Sequence, residues 1–243
     1  VWASPADARN WPFAYRGIEG EIALRLGQAV TPAQAAALDV DGARALVDAM
    51  CVSIEIVDFR WADAGDAPAW NKLADALCHG ALVLGDWVPY QTRDWQQQRC
   101  VATIGAQPAT THTGTHSLGD PAFLLPAWLR HATRTGHTVP AGTVVTTGSW
   151  IGLPLAAPGD LVRVEFDGMG AASVQRICRG AAVDRLAAVD CYYMDSCVRS
   201  SVVRTKHFSF KFLLETPQHC DTKVRAFCLG PWPTCRCTLT EIP

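Results

Sequence analysis

Apolar and polar residues alternate along residues 17–27, GIEGEIALRLG: Ile22, Leu24 and Leu26 are separated by Ala23 and Arg25, and Gly27 closes the run. A period of two is that of a strand, whose successive side chains point to opposite faces. Thr31-Pro32 then opens a short helix, because threonine can cap and proline suits the first helical position. Asp41 caps a second predicted helix running to Met50, with Ala43, Leu46, Val47 and Met50 at helical spacing. Residues 51–57, CVSIEIV, are β-branched and apolar and predict a strand. Residues 67–79 predict a helix with Trp70, Leu73, Ala74 and Leu77 on one side, and ALVL at 81–84 predicts a short buried strand ended by Gly85. Further strands are expected at 99–105, 143–147 and 161–166, with a turn at Pro158-Gly159-Asp160 before the last. A stretch rich in Thr, Gly and His, including His112 and His116, follows 99–105 and reads as a solvated loop. Pro121 opens a helix carrying Phe123, Leu124, Trp128 and Leu129. There are too few regular βα units for a doubly wound sheet, so the order predicts an α+β domain around a twisted or rolled sheet.

Composition divides this chain in two. Of 243 residues, 49% are apolar and 18% charged, enough to bury a sizeable core and too apolar for a disordered chain. Residues 1–174 hold three cysteines and 11 basic against 17 acidic residues, a net charge of −6. Residues 175–243 hold the other seven cysteines and a net charge of +4. This atypical Cys-rich tail lacks a sustained period, with at most a helical turn or two at 182–189 and a strand at 208–214, and is expected to be poorly ordered. Its cysteines lack paired C-x₂-C spacing and are odd in number, which argues against zinc and against a disulfide framework. The overall charge of −2 argues against a nucleic-acid partner. No apolar run approaches the roughly 20 residues of a membrane helix, so no membrane association is expected, and no leader pattern opens the chain.

Three acids then change the picture. Glu19 and Glu21 lie two apart on a predicted strand, so both carboxylates share one face. Gly20 between them permits close approach of another group to the backbone. Glu55 sits among Ile54, Ile56 and Val57, where an ionised side chain needs a partner. Three hard oxygen donors suit Mg²⁺ or Mn²⁺ better than zinc. The alternative is that Glu19 and Glu21 face solvent on an edge strand while Glu55 pairs with Arg60. Lys72 is the only lysine in residues 1–174, and a lone lysine can serve in proton transfer or stand on an exposed helix face. Gly148-Ser149, ending a β-type run, is a place for anion-binding donors or a plain turn.

YRGIEGEIALRLG (15–27), SIEIVDFRW (53–61), ADALCHGALVLG (74–85), TVVTTGSWIGL (143–153) and PGDLVRVEFDGMGAASV (158–174) occur in that order. Together they resemble the fumarylacetoacetate hydrolase superfamily, and within it the 2-keto-4-pentenoate hydratase branch. The resemblance implies a mixed β-roll or sandwich with peripheral helices over residues 1–174, an N-terminally truncated catalytic domain that forms a homodimer or higher homo-oligomer. It implies Glu19, Glu21 and Glu55 as ligands of Mg²⁺ or Mn²⁺, and Gly148 and Ser149 as the holders of a substrate carboxylate. Lys72-Leu73-Ala74-Asp75 resembles the K-x-x-D pattern of the hydrolase branch, which makes Lys72 or Asp75 a candidate catalytic acid/base. Three departures stand out. Asp75-Ala76-Leu77-Cys78 lacks the Asn of the hydratases' Asp-Asn-Ala-Ser segment, Phe59 stands where a Ser is usual, and only 18 residues precede Glu19. The implied activity is a cytoplasmic, metal-dependent lyase adding water to a 2-hydroxypenta-2,4-dienoate, a small 2-oxo acid of aromatic catabolism. A 2-oxo acid decarboxylase, an acylpyruvate hydrolase and a truncated inactive copy are the alternatives.

Overall fold

The computed structural model describes residues 1–61, 66–175, 177 and the backbone of 207–208. The first half contains β1 (Trp2–Ala3), β2 (Ala6–Asp7), β3 (Gly17–Leu26), α1 (Pro32–Ala37), α2 (Val40–Arg44), β4 (Val47–Val57), α3 (Ala69–Ala74), β5 (His79–Leu84) and β6 (Val88–Pro89). The second contains β7 (Arg99–Ile104), β8 (Thr110–Thr113), α4 (Leu125–Ala132), β9 (Val144–Thr146), β10 (Val162–Phe166), β11 (Gly170–Gln175) and β12 (His207–Phe208).

One sheet runs β1-β5-β4-β3-β9-β12, with β6 also pairing β4, and the other runs β2-β11-β10-β7-β8. The β1/β5, β2/β11 and β9/β12 pairs are parallel and the rest antiparallel, so both sheets are mixed. The α+β sandwich with peripheral helices is therefore the architecture found. Ile22, Leu24, Val52 and Ile54 of the larger sheet and Ala102, Val162, Val164 and Phe166 of the smaller one belong to a single buried cluster. Gly20 lies at this junction. A Cβ there would come within 2.8 Å of Val164 Cγ1, and the Gly20 carbonyl accepts from the Trp150 N–H at 2.8 Å. The close approach expected at Gly20 is thus the second sheet packing onto the first.

The ladder between β3 and β4 carries the site. Its register pairs Ile22 with Val52, Glu21 with Ser53 and Glu19 with Glu55. From Ile18 to Leu24 of β3 and from Met50 to Ile56 of β4, the even-numbered residues face the inter-sheet core and the odd-numbered ones face the other way. On that second face Ala23, Cys51, Leu82, Leu84 and Val144 form a smaller apolar cluster with Trp87 packed against it. Strand β4 is thus buried on both faces, which accounts for its almost unbroken apolar run.

Several expected elements differ in extent. The predicted helix from Asp41 to Met50 is only Val40–Arg44, capped by Asp39 accepting from the Gly42 N–H at 2.7 Å. Val47 already pairs with Leu26 and Met50 with Leu24, because the β3 ladder outweighs a helical spacing that these residues also satisfy. The helix expected at 67–79 stops at Ala74, and Trp70 is 68% exposed rather than packed inward. The helix expected from Pro121 begins at Leu125, after a turn. Residues 110–113, read as loop, form edge strand β8 against β7. The turns expected at 182–189, the strand at 208–214 and the order of the tail lie outside the described residues, apart from β12, Gln175 and Ile177. No helix among the described residues is long and apolar enough to cross a membrane.

Candidate metal centre

Period two places Glu19 and Glu21 on one face of β3, and the antiparallel register sets Glu55 of β4 directly beside Glu19. One carboxylate oxygen from each of the three lies within 4.8 Å of the others. Glu21 and Glu55 are fully buried and Glu19 is half-buried. Two unit charges at that separation repel by about 3 kcal/mol at an effective dielectric of about 20. Three ionised carboxylates gathered in a buried place therefore require a counter-charge. A divalent cation would supply it, and an all-oxygen donor set matches Mg²⁺ or Mn²⁺. The buried Ser53 hydroxyl, opposite Glu21 on the same face, has no hydrogen-bond partner among the described residues. It adds a further oxygen to the acid face. The residues present fit a divalent cation.

Donors reach two of the acids from elsewhere in the fold. The Gly148 N–H donates to Glu21 Oε2 at 2.7 Å, from a backbone at φ +110°, a region that favours glycine. His79, the first residue of β5, brings Nδ1 within 3.1 Å of Glu55 Oε1. No pattern in the sequence pointed to His79. The alternative pairing of Glu55 with Arg60 does not form, and Glu21 does not face solvent. Arg60 instead forms an ion pair through Nε with Asp75 Oδ1. Its N–H donates to Asp75 Oδ2 at 3.1 Å, and its guanidinium donates to the carbonyls of Asp75 and His79 at 2.8 and 2.9 Å. Asp75 is thus tied into the turn before β5. Lys72 is half-buried in the last turn of α3. The Ser149 hydroxyl donates to the Gly152 carbonyl at 2.7 Å, which closes its own turn.

The His-bearing stretch is not uniformly solvated. His112 lies on edge strand β8, whereas His116 is buried. His116 Nε2 lies 2.8 Å from the Thr147 carbonyl, which only accepts, so that nitrogen carries the proton. Nδ1 accepts from the Leu118 N–H at 3.3 Å. Burial pushes the His116 pKa below its ordinary 6.5, against the Thr147 carbonyl and the Asp120 charge, which raise it. The unfolded chain therefore binds the proton more readily, and stability rises with pH across the window just below 6.5. That contribution is complete above about pH 6.5 and is lost as the pH falls towards the lowered value. Urea unfolding midpoints are expected to drop between pH 7 and pH 5.5, and His116→Gln to flatten that drop. An equal drop in the variant would assign it to other groups.

The fold is a mixed two-sheet α+β sandwich in which three carboxylates, two of them fully buried, lie together on one face of the β3/β4 ladder. The fumarylacetoacetate hydrolase C-terminal family matches residues 9–175, well over half of the chain, and the chain belongs to that family. A 4-oxalocrotonate decarboxylase of a Pseudomonas species is 27% identical over 165 residues, covering 66% of this chain and 60% of the relative. Among solved structures, 4-oxalocrotonate decarboxylase from Pseudomonas putida G7, complexed with magnesium and adipate, aligns with a TM-score of 0.59 at 20% identity. The alignment covers 70% of this chain and 63% of that one. The same enzyme complexed with calcium and acetate aligns with a TM-score of 0.57 at 20% identity, over 70% and 62%. These structural likenesses concern the fold. The chain spans about three fifths of the length of these relatives.

Proposed function

We propose that this chain acts as a divalent-cation-dependent enzyme on a small 2-oxo acid, with Glu19, Glu21 and Glu55 holding Mg²⁺ or Mn²⁺. The convergence of these three carboxylates on one face of the β3/β4 ladder carries the proposal. When bound, the cation supplies Lewis-acid stabilisation of negative charge developing on the 2-oxo oxygen. The protein's own groups hold and orient. The Gly148 N–H fixes the Glu21 carboxylate, so the donor that the Gly148-Ser149 turn offers a substrate carboxylate is the Ser149 N–H. The Ser149 hydroxyl is committed to Gly152, so the main chain is what remains of Ser149 for that task. Lys72 is assigned the proton transfer. Asp75, whose carboxylate is taken by Arg60, is assigned a positioning role.

Decarboxylation is the first reaction proposed, because the relative at 27% identity is a 4-oxalocrotonate decarboxylase. Hydration of 2-hydroxypenta-2,4-dienoate is the second, supported by the resemblance of residues 15–174 to the hydratase branch of the family. Both reactions gather electron density on the 2-oxo oxygen, so one cation site serves either. A homo-oligomer is the assembly proposed with them. The test uses the purified chain with Mg²⁺ or Mn²⁺, following release of CO₂ from 4-oxalocrotonate and loss of the dienol absorbance. Turnover that stops in EDTA and returns with added cation is expected, and the substrate consumed separates the two reactions. No turnover of either with cation present overturns the enzymatic proposal in favour of an inactive copy.

A further inference from the structure

His79 reaches the acid face because of a single extra residue. In the β4/β5 ladder Glu55 pairs with Leu82 and Ile56 with Ala81, yet Val57 pairs with His79 rather than with Gly80. Gly80 is the bulged residue. A Cβ on it would come within 2.6 Å of the Ile56 carbonyl and 3.0 Å of Asp58 Cβ. In a regular ladder His79 would lie opposite Asp58 and point to the other face. The bulge turns it onto the face of Val57 and Glu55, as bulges re-aim side chains elsewhere.

The chain enters this bulge through an unusual turn. Ala76, Leu77 and Cys78 all have left-handed backbones, at φ +53°, +54° and +66°, and none is glycine. Left-handed backbone in consecutive L-residues persists only where surrounding contacts impose it. Those contacts are present. The Arg60 guanidinium spans the carbonyls of Asp75 and His79, its side chain pairs with the Asp75 carboxylate, and the Asp58 N–H donates to the Cys78 carbonyl at 2.8 Å. A strained turn, a two-ended clamp and a bulge thus all act on the residue whose Nδ1 lies 3.1 Å from Glu55 Oε1.

We propose that His79 is the positioning residue of the cation site, holding the Glu55 carboxylate in its ligating orientation through an Nδ1–H donor. The proposal rests on Glu19, Glu21 and Glu55 being the cation ligands. A ligating carboxylate only accepts, so the proton of the pair lies on Nδ1. With Oε1 held by the ring, the side chain does not have to be ordered again when the cation binds. Outer partners of this kind typically change metal affinity about 10- to 100-fold when removed.

The test is Mn²⁺ binding to the full chain by titration calorimetry, with thermal melting in EDTA alongside. His79→Phe keeps the ring volume and loses the donor. It is expected to weaken Mn²⁺ binding at least about 10-fold while melting in EDTA as the wild type does. His79→Asn places an amide nitrogen close to the position of Nδ1 and is expected to retain affinity within about threefold of wild type. A donor-dependent split between these two is something that mere packing of the ring would not produce. If His79→Phe does not melt cooperatively, His79→Leu replaces it, this side chain being 27% exposed and able to tolerate either. Wild-type affinity in the donorless variant, or equal loss in Phe and Asn, overturns the role of His79. Wild-type protein that binds no Mn²⁺ overturns the cation site itself and this proposal with it. Glu21→Gln separates the two cases: loss of binding there, with none in His79→Phe, leaves the site standing and removes only His79.

Discussion

Glu21→Gln is expected to abolish the stabilisation of this protein by Mg²⁺ and to stop the turnover proposed for it. Glu21 is fully buried and accepts from the Gly148 N–H, and it stands beside two other carboxylates. The amide keeps an acceptor for Gly148 but removes one of the three charges. In EDTA the variant should melt at or above the wild-type temperature, because the buried repulsion falls while the hydrogen bond is retained. With Mg²⁺ the order reverses. A ligand at about 100 times its dissociation constant stabilises the native state by roughly 2.7 kcal/mol, and only the wild type is expected to gain that. Melting curves with and without Mg²⁺ measure both halves. A Mg²⁺-induced shift of equal size in the variant would remove Glu21 from the site, whatever happens to activity.

Trp150→Ala is expected to cost about 3–5 kcal/mol of folding stability, a large share of the roughly 5–15 kcal/mol that holds a domain folded. The ring is 1% exposed at the junction of the two sheets. It packs edge-on to Phe166 at 5.3 Å, contacts Trp95 at 6.5 Å and lies against His116 at 5.5 Å. Its backbone ties two segments: the N–H donates to the Gly20 carbonyl, and the carbonyl accepts from Thr115 Oγ1 at 2.7 Å. Truncation leaves a cavity that these bonds prevent from collapsing. Trp150 Nε1 is buried with no acceptor among the described residues, so Trp150→Phe loses volume but relieves an unpaired donor. Phe should therefore cost less, about 1–2 kcal/mol. Urea unfolding of the two variants measures the difference. A loss below about 1 kcal/mol for Ala would mean that the junction repacks around the gap. Because Gly148 is two residues away, Trp150→Ala should also weaken cation binding through a looser hold on Glu21.

The parts of the site legible in the sequence are those that follow from a short period. Two residues separate Glu19 from Glu21, and that spacing alone puts them on one face once the segment is a strand. Glu55 was conspicuous as an acid inside an apolar run, and its burial in β4 matches that oddity. The Cys-rich tail was legible mainly as a change of composition, since it lacks a sustained period. The failures share a cause as well. Leu46, Val47 and Met50 satisfy a helical spacing and a strand equally well, and only the partner strand β3 settles which. The helix before β5 ended early because Asp75 is drawn into the ion pair with Arg60, a contact across 15 positions in sequence that no local pattern encodes.

By itself, then, the sequence determined β3, the second half of β4, and β5, β7, β9 and β10 in outline, the shared face of Glu19 and Glu21, and the hard-oxygen character of any ligand they would take. These depend on residue type and on intervals of two to four positions. Tertiary structure alone decided that Glu55 stands beside Glu19, that Gly148 reaches Glu21 from 127 residues away, and that a bulge at Gly80 swings His79 onto the acid face. Each of these depends on register between strands, where a slip of one residue exchanges the two faces of a sheet.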